Sequence, residues 1–181
     1  MIPGTLVYLT PVDPANAETA RGWINDPAVN RWMLSGHIPV SKDSELAWYA
    51  DAERQWQAGS AYRFEVHDAG DSRLVGHISL EHVDMLHRHA EVGIVIGRPA
   101  DWGKGYGADA LRTLLRFGFE TLGLHRIWIT VFAENERAHA LYKRVGFTEC
   151  GRDREWGFLH GAYRDLVRLD MLEHEWDGSP S

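Results

Sequence analysis

The spacing of apolar residues in the first third of the chain predicts one strand followed by two helices. Residues 5–10 alternate between apolar and polar positions and carry β-branched side chains, which is typical of a strand. Helical spacing follows over residues 14–25, and Ser41 can cap a second helix over residues 42–57. The predicted buried face of this second helix consists of Leu46, Tyr49, Ala50 and Trp56.

The pattern then changes to a period of two, which predicts successive strands. Residues 62–67, 74–81 and 90–97 alternate, and the short polar connections between them favour antiparallel pairing. The remaining predicted elements are a helix over 105–122, a strand over 127–132, a helix over 135–145 and two closing strands over 147–155 and 163–172. The sum is an α/β fold whose mixed, mostly antiparallel sheet has about seven strands flanked by about four helices. The strand–helix–strand unit over residues 90–132 predicts one parallel pair within that sheet.

Composition fits one domain and excludes several functions. The 181 residues carry 19 Lys and Arg against 26 Asp and Glu, a formal net charge of −7 at pH 7, which argues against non-specific nucleic-acid binding. No apolar run is long enough to span a membrane, and we expect no signal peptide and no membrane partner. The single cysteine, Cys150, excludes an internal disulfide and favours a cytoplasmic location. We predict one domain over residues 1–176 and a flexible tail over 177–181.

The densest chemical signal is the segment Trp-Gly-Lys-Gly-Tyr-Gly at residues 102–107. Glycines let backbone N–H groups approach a ligand, and a helix start adds partial positive charge, so the segment suits a phosphate, although a plain strand-to-helix turn has the same pattern. The P-loop pattern fails twice, because position 98 is Arg and Gly105 follows Lys104. The dinucleotide fingerprint fits residues 103–108 formally, but it requires a tight turn directly after the strand, which residues 98–102 interrupt.

Two segments together resemble the acetyl-coenzyme A site of the GNAT superfamily of N-acetyltransferases. Residues 102–107 match that family's Gln/Arg-x-x-Gly-x-Gly/Ala pattern, except that Trp102 stands in the Gln/Arg position. Residues 135–147, Asn-Glu-Arg-Ala-His-Ala-Leu-Tyr-Lys-Arg-Val-Gly-Phe, resemble its Asn-x-x-Ser/Ala-x-x-x-Tyr helix and the Gly-Phe that follows. With Asp-Pro-Ala-Val at 26–29 and Ala-Glu-Val-Gly at 90–93, the chain resembles the branch containing ribosomal-protein N-terminal and spermidine acetyltransferases.

The resemblance implies a GNAT fold that binds acetyl-coenzyme A as a co-substrate between two splayed strands. Its pantetheine arm would pair with the strand over 90–97, and its pyrophosphate would meet the amides of the glycine-rich segment. Asn135 matches the family's pantetheine-contacting asparagine, although an ordinary helix N-cap explains it equally well. The implied cofactor-binding residues are Ile94, Val95, Ile96, Trp102, Gly103, Lys104, Gly105, Tyr106, Gly107, Asn135 and Tyr142.

The implied reaction is acetyl transfer to a primary amine by direct attack in a ternary complex. Tyr142 matches the tyrosine that protonates the departing thiolate, although its apolar helix face also suits a core residue. Only about one alkyl amine in 10³ is neutral at pH 7, so a base or a water chain must remove the proton. Glu91 is the predicted base, and Glu81 and a water chain are the alternatives. A backbone amide of residues 94–96 would hold the oxyanion. Cys150 is expected to pack rather than react.

The acceptor pocket is assigned by the resemblance to the loop over residues 26–40 and the turn over 156–160. Its predicted substrate-binding residues are Arg31, Trp32 and Met33, and the candidate acceptors are a protein N-terminus, a polyamine or another small amine. Residues 1–90 carry 7 Lys and Arg against 12 Asp and Glu, whereas residues 91–181 carry 12 and 14, so the half nearer the acceptor is more acidic. That distribution suits a cationic amine beside an anionic cofactor, although solubility alone could also explain it.

Several alternatives stay open at this point. A non-catalytic coenzyme A sensor or scaffold would keep the same motifs, an NAD(P)-dependent enzyme is a remoter alternative, and a homodimer is an open option. The polar turn after residue 81 holds His82, Asp84, His87 and His89 without the spacing of helical metal ligands, so we interpret it as a solvated loop and predict no metal.

Overall fold

The computed structural model describes residues 1–35 and 38–178, and its sheet has eight strands in the order β1-β2-β3-β4-β5-β6-β8-β7. In chain order the strands are β1 (Ile2–Pro3), β2 (Val7–Pro11), β3 (Tyr62–Asp68), β4 (Leu74–Asp84), β5 (His89–Ile96), β6 (Arg126–Phe132), β7 (Thr148–Leu159) and β8 (Ala162–Leu172). The α-helices over the same ranges are α1 (Ala17–Ile24), α2 (Pro27–Asn30), α3 (Lys42–Ala58), α4 (Tyr106–Arg116) and α5 (Glu136–Val145). The predicted fold class is confirmed. Residues 179–181 of the predicted tail lie outside the described residues.

The pairing of the strands follows the sequence prediction closely. Every neighbouring pair is antiparallel except β5 with β6, which pair in parallel across the connecting α4. Two elements were not predicted, the two-residue β1 and the one-turn α2, because both are too short to show a period. The predicted helix over 105–122 is α-helical to Arg116 and continues as a π-helical turn over Phe117–Thr121.

Two hydrophobic clusters lie on opposite faces of the sheet. On one face the leucines of α4 are fully buried against the even positions of β4, such as Ile78 and Leu80. On the other face α1 and α3 contribute Ala20, Trp23 and Tyr49, and the last two contact His77 of β4. Because successive strand residues point to opposite faces, β4 is buried on both sides at its centre.

On the face of β4 that α1 and α3 cover, a histidine is buried among aromatic rings. His77 is 7% exposed, stacks on Trp48 at 5.5 Å between ring centroids, and its Nε2 lies 3.2 Å from the hydroxyl of Tyr49. Burial lowers the pKa of His77 to about 4, so the imidazole is neutral at physiological pH. The sequence alternation over residues 74–81 predicts a polar face of this strand, but it does not predict that helices cover that face.

The predicted buried face of α3 was right at Tyr49 and Trp56 and wrong at Leu46 and Ala50, which are exposed. The structure buries Glu45, Tyr49 and Ala52, whereas Leu46 is 39% exposed. Burial raises the pKa of Glu45, and the nearby Arg21 partly opposes this effect. The helix face that contains Tyr49 and Ala52 thus buries the carboxyl group of Glu45 and leaves Leu46 exposed to solvent.

A buried carboxylate fixes the start of α4. Asp109 is 1% exposed, and its Oδ2 accepts hydrogen bonds from the backbone N–H groups of Leu6 at 2.7 Å and Val7 at 2.8 Å. The first turn of α4 is therefore tied to the beginning of β2, which holds the glycine-rich segment in place.

None of the helices in the described ranges is long and apolar enough to cross a membrane.

Candidate active site

A cleft opens where β5 and β6 separate. The two strands pair in parallel at three successive positions, the last of which joins Glu91 to Trp128. Beyond that point β5 stays paired with β4 as far as Ile96, and β6 stays paired with β8 as far as Phe132. Each strand is held by its outer neighbour, so the two diverge. The cleft between them has a volume of about 810 Å³, a size typical of small-molecule sites.

The cleft edge of β5 offers backbone hydrogen-bonding groups. Gly97 donates its N–H to the carbonyl of Val75 in β4 at 2.9 Å. Successive strand residues direct their polar groups to opposite neighbours, so Ile94 and Ile96 direct theirs toward the cleft, whereas those of Val95 face β4. All three residues line the cleft. Its edge therefore has the alternating donors and acceptors that an extended amide chain can pair with.

The glycine-rich segment gives the start of α4 an open backbone. Gly103 has φ +77° and Gly105 has φ +94°, conformations that glycine adopts without steric strain. Gly105 is the N-cap of α4, and no described side chain caps this first turn. Tyr106 and Gly107 of that turn line the cleft. Unpaired N–H groups at a helix start bind anions, so this end of the cleft suits a phosphate.

Trp102 links the glycine-rich segment to both walls of the cleft. Its indole N–H donates to the carbonyl of Ile96 at 2.8 Å, and the guanidinium of Arg137 lies over its ring at 3.5 Å from the centroid. Arg137 also lines the cleft, where desolvation lowers its pKa while leaving it cationic at neutral pH. Sequence reasoning missed Arg137, because helical spacing does not show that it contacts Trp102.

Lys104 and Tyr106 are each held by a carboxylate. The Lys104 ammonium lies 3.1 Å from Asp101, whose pKa is lowered mainly by its hydrogen bond with Arg73 and further by Lys104. The hydroxyl of Tyr106 donates to Asp68. Lys104 is absent from the cleft lining that the structure describes, whereas the ring of Tyr106 belongs to it. Lys104 thus supports the segment through Asp101, whereas Tyr106 itself lines the cleft.

Asn135 and Tyr142 stand on α5 and both line the cleft. Asn135 caps the helix, since its Oδ1 accepts the N–H of Ala138 at 3.3 Å. Tyr142 is 6% exposed and packs against Phe147. Burial raises the pKa of Tyr142 far above its ordinary value, so the phenol remains protonated and can donate. Each residue combines the structural role and the cleft position that the sequence left as alternatives.

The two candidate bases have different partners. Glu81 forms a bidentate pair with Arg63, at 2.8 and 3.1 Å. Glu91 accepts the hydroxyl of Thr130 at 3.2 Å and lies 3.1 Å from Nδ1 of His82. Both carboxylates and His82 line the cleft. The pair of Glu91 with His82 was not predicted, because the extra residue that brings them together is visible only in the strand register.

At the acceptor end, the structure places two of the three predicted residues in the cleft. Trp32 and Met33 line it, whereas Arg31 does not belong to the described lining. The backbone carbonyl of Arg31 lies 2.9 Å from Nε2 of His160, and Trp32 packs between Phe132 and His160. The early loop thus contacts the late turn through His160, but no residue of that turn belongs to the described lining of the cleft. Residues 36 and 37 of the loop lie outside the described residues.

Cys150 lies away from the cleft, on the edge strand β7. It lies on a closing strand as predicted, but the expectation that it is a packing residue was wrong, because its side chain is exposed. Its Sγ lies 3.7 Å from Arg126 and 3.5 Å from the carbonyl of Arg168, and desolvation raises its pKa.

In the described part of the chain, no group of three His, Cys, Asp or Glu side chains could hold a metal ion.

Comparison with known proteins agrees with this geometry. The family model "Acetyltransferase (GNAT) domain" matches residues 7–148. The Bacillus subtilis protein named "Putative ribosomal N-acetyltransferase YdaF" is 32% identical over 176 residues, covering 92% of this chain and 91% of that protein. Spermidine N(1)-acetyltransferase of Vibrio cholerae is 36% identical over 114 residues, covering 63% and 65% of the two chains.

A solved structure shows the same fold with ligands bound. The spermidine N-acetyltransferase of Vibrio cholerae in complex with CoA and spermine superimposes with a TM-score of 0.85 at 27% identity, covering 94% of this chain and 98% of that one. The alternative hypothesis of an NAD(P)-dependent enzyme was therefore wrong. The mostly antiparallel sheet also differs from that of a dinucleotide-binding fold. The chain is an acyltransferase and belongs to the GNAT acetyltransferase family.

Proposed function

We propose that this protein transfers the acetyl group of acetyl-coenzyme A to a primary amine of a cationic acceptor, by direct attack in a ternary complex. The observation that carries the proposal is the divergence of β5 from β6 beyond Glu91, with the glycine-rich segment at one end of the gap and Tyr142 within its lining. A strand edge, an anion site and a protonated phenol lie around one cleft, which is what thioester binding and thiolate departure require.

The residues present fit acetyl-coenzyme A on their own chemistry. The backbone groups of Ile94 and the N–H of Ile96 match the amides of a pantetheine arm, whereas the carbonyl of Ile96 already accepts the indole N–H of Trp102. The N–H groups at the start of α4 match a pyrophosphate. Arg137 supplies a fixed positive charge beside that helix start, because Lys104 is already paired with Asp101. When bound, the cofactor supplies an activated acetyl thioester. The backbone N–H of Ile94 would then stabilise negative charge on its carbonyl oxygen.

Tyr142 is proposed as the proton donor to the leaving sulfur. Its burial keeps the phenol protonated at neutral pH, so the proton is available when the thiolate forms. Glu91 belongs to the part of the lining expected to receive the amine, together with Trp32 and Met33. The ring of Trp32 already has a guanidinium over it at 5.3 Å, which illustrates its affinity for cations.

A spermidine-like polyamine and a protein N-terminus are the two proposed acceptor classes, since both are cationic amines. The name of one relative mentions spermidine and that of another mentions the ribosome. The net negative charge of residues 1–90 supports a cationic acceptor in general. We also retain as predictions a single domain over residues 1–176, a cytoplasmic location and a homodimer.

A thiol-release assay tests the proposal. Acetyl-coenzyme A is incubated with the protein and, separately, with spermidine, short peptides bearing a free N-terminus, and the same peptides with the N-terminus blocked. We expect thiol release with at least one free amine, in equal amount to the acetylated product, and none with the blocked peptides. Thermal stabilisation by coenzyme A without release for any amine would instead favour the non-catalytic sensor.

A further inference from the structure

A β-bulge in β4 brings one histidine into the cleft. Glu81 pairs with Glu91 and Asp84 pairs with His89, so β4 has one residue more than β5 between these two pairs. The extra residue lies at His82, whose φ of +50° is in the left-handed region. Bulges of this kind usually place glycine there, because a Cβ strains that conformation.

The strained residue is directed at a sheltered carboxylate. His82 Nδ1 lies 3.1 Å from Oε2 of Glu91, and Thr130 donates to the other oxygen of the same carboxylate at 3.2 Å. The Glu91 side chain is only 17% exposed, whereas that of His82 is 77% exposed, and both line the cleft. A strained backbone that aims a side chain into a cleft is characteristic of functional positions.

This geometry selects one form of the imidazole. With Nδ1–H donating to Glu91, the Nε2 of His82 carries the free lone pair and is the atom able to accept a proton. The neighbouring carboxylate, Glu81, is already paired with Arg63 of β3. Glu91 is thus the carboxylate that holds the ring, and its own oxygens are occupied by His82 and Thr130.

We propose that Nε2 of His82 takes the proton from the acceptor ammonium, and that Glu91 is a positioning residue that keeps the ring in its Nδ1–H form. This inference rests on the proposed acetyl transfer and changes the role predicted for Glu91 from base to support. The protons and bonds of the proposed reaction balance without another reactant. The ammonium loses one proton to His82, which passes it to water, and the new N–C bond forms as the C–S bond breaks. Tyr142 gives its proton to the sulfur. The second proton that leaves the nitrogen restores the phenol of Tyr142.

Two substitutions at His82 separate its chemistry from its place in the fold. His82→Asn tolerates the left-handed backbone and can donate to Glu91 but cannot take up the proton, while His82→Gly relieves the strain. We expect kcat/KM for the best amine of the panel to fall about 10²-fold in both at pH 7. His82→Gly should unfold at the same or a higher temperature, a result that a purely structural histidine would not give. Activity of either variant within about twofold of wild type would overturn the proposal.

The pH profile gives an independent kinetic readout. In the wild type, kcat/KM should level off as the pH rises, because the enzyme itself supplies the proton acceptor. In His82→Asn it should keep rising with pH, because only the intrinsic ionisation of the amine then supplies the neutral nucleophile. Identical profiles in the two proteins would contradict proton transfer to His82.

The tautomer of His82 tests the pair without any turnover. ¹⁵N chemical shifts of the imidazole should show the Nδ1–H form in the wild type and mainly the Nε2–H form in Glu91→Ala. A wild-type ring in the Nε2–H form would overturn the proposal even if acetyl transfer is observed. Absence of turnover with every amine would contradict the proposed function, while the tautomer would still report on the pair.

Discussion

The two ends of the cleft are built from different parts of the chain. At the glycine-rich end the proposed binding groups are backbone N–H and C=O groups of β5 and α4, and Lys104 is paired with Asp101. At the amine end the lining consists of side chains held by specific partners, such as Glu81 by Arg63 and Glu91 by His82. The first end depends on backbone conformation, whereas the second depends on pairs of groups, and the two should respond differently to substitution.

Tyr142 stands between the two ends and gives the largest expected effect. Tyr142→Phe removes the proton donor while keeping the ring against Phe147. We expect kcat to fall by roughly 10²–10⁴-fold with the dissociation constant of coenzyme A almost unchanged, because the proposed role of the hydroxyl is to protonate the leaving thiolate. Steady-state kinetics and calorimetric titration of coenzyme A measure the two quantities.

Tyr49 offers a matched control for that variant. It is also a buried tyrosine whose pKa is raised by desolvation, but its hydroxyl meets His77 outside the cleft. Tyr49→Phe should lower the free energy of unfolding by about 1 kcal/mol and leave kcat intact. If Tyr49→Phe and Tyr142→Phe lost activity equally, the loss would reflect general destabilisation and Tyr142 would have no special role.

The strand that supports the amine end is sensitive to acid through His77. Its folded pKa of about 4 lies below the ordinary value of 6.5, so the unfolded chain binds the proton first as the pH falls. The free energy of unfolding should therefore decrease between pH 6.5 and pH 4, by up to roughly 3 kcal/mol from this group. Urea unfolding of the wild type and of His77→Gln over this range isolates the contribution as the difference in slope, and equal slopes would contradict it.

The comparison also explains what the sequence could predict. The glycine-rich end is encoded in consecutive residues, so residues 102–107 and Asn135 identified it together with the surrounding elements. The amine end depends on contacts between distant segments. The bulge at His82 and the meeting of Arg31 with His160 have no periodic signature, and they become visible only when the strands are in register.

Errors in the fold prediction have the same origin. Short elements such as α2 lack a period, and the helix face of α3 was shifted because Glu45 is buried in place of Leu46. Hydrophobicity favours the leucine at a buried position, but packing of Tyr49 fixes the rotation of the whole helix. Tertiary contacts thus override the local pattern where charged residues are buried.

The backbone dependence of the glycine-rich end predicts an asymmetry between two of its glycines. Gly105 has φ +94°, and an added Cβ would lie 2.8 Å from Leu6 Cδ1, so Gly105→Ala should cost about 1–3 kcal/mol of stability and weaken coenzyme A binding about tenfold. In Gly107→Ala the new Cβ would lie 3.2 Å from the flexible end of Leu141, without positive φ. We expect near-normal binding there. Equal affinities in the two variants would show that backbone conformation does not control this end.

The smallest expected effect separates two roles of Asn135. Asn135→Ala removes the acceptor for the N–H of Ala138 and should lower the free energy of unfolding by about 1 kcal/mol. Asn135→Ser keeps an N-cap oxygen without adding charge, so stability should return to within a few tenths of a kcal/mol. If the amide also contacts the pantetheine arm, the serine variant will still bind coenzyme A several-fold more weakly than the wild type, by roughly 1 kcal/mol for one lost hydrogen bond. Wild-type affinity in Asn135→Ser, measured by calorimetry beside thermal unfolding, would assign this residue to capping alone. The cofactor end would then depend on main-chain groups even more completely than the comparison of the two ends suggests.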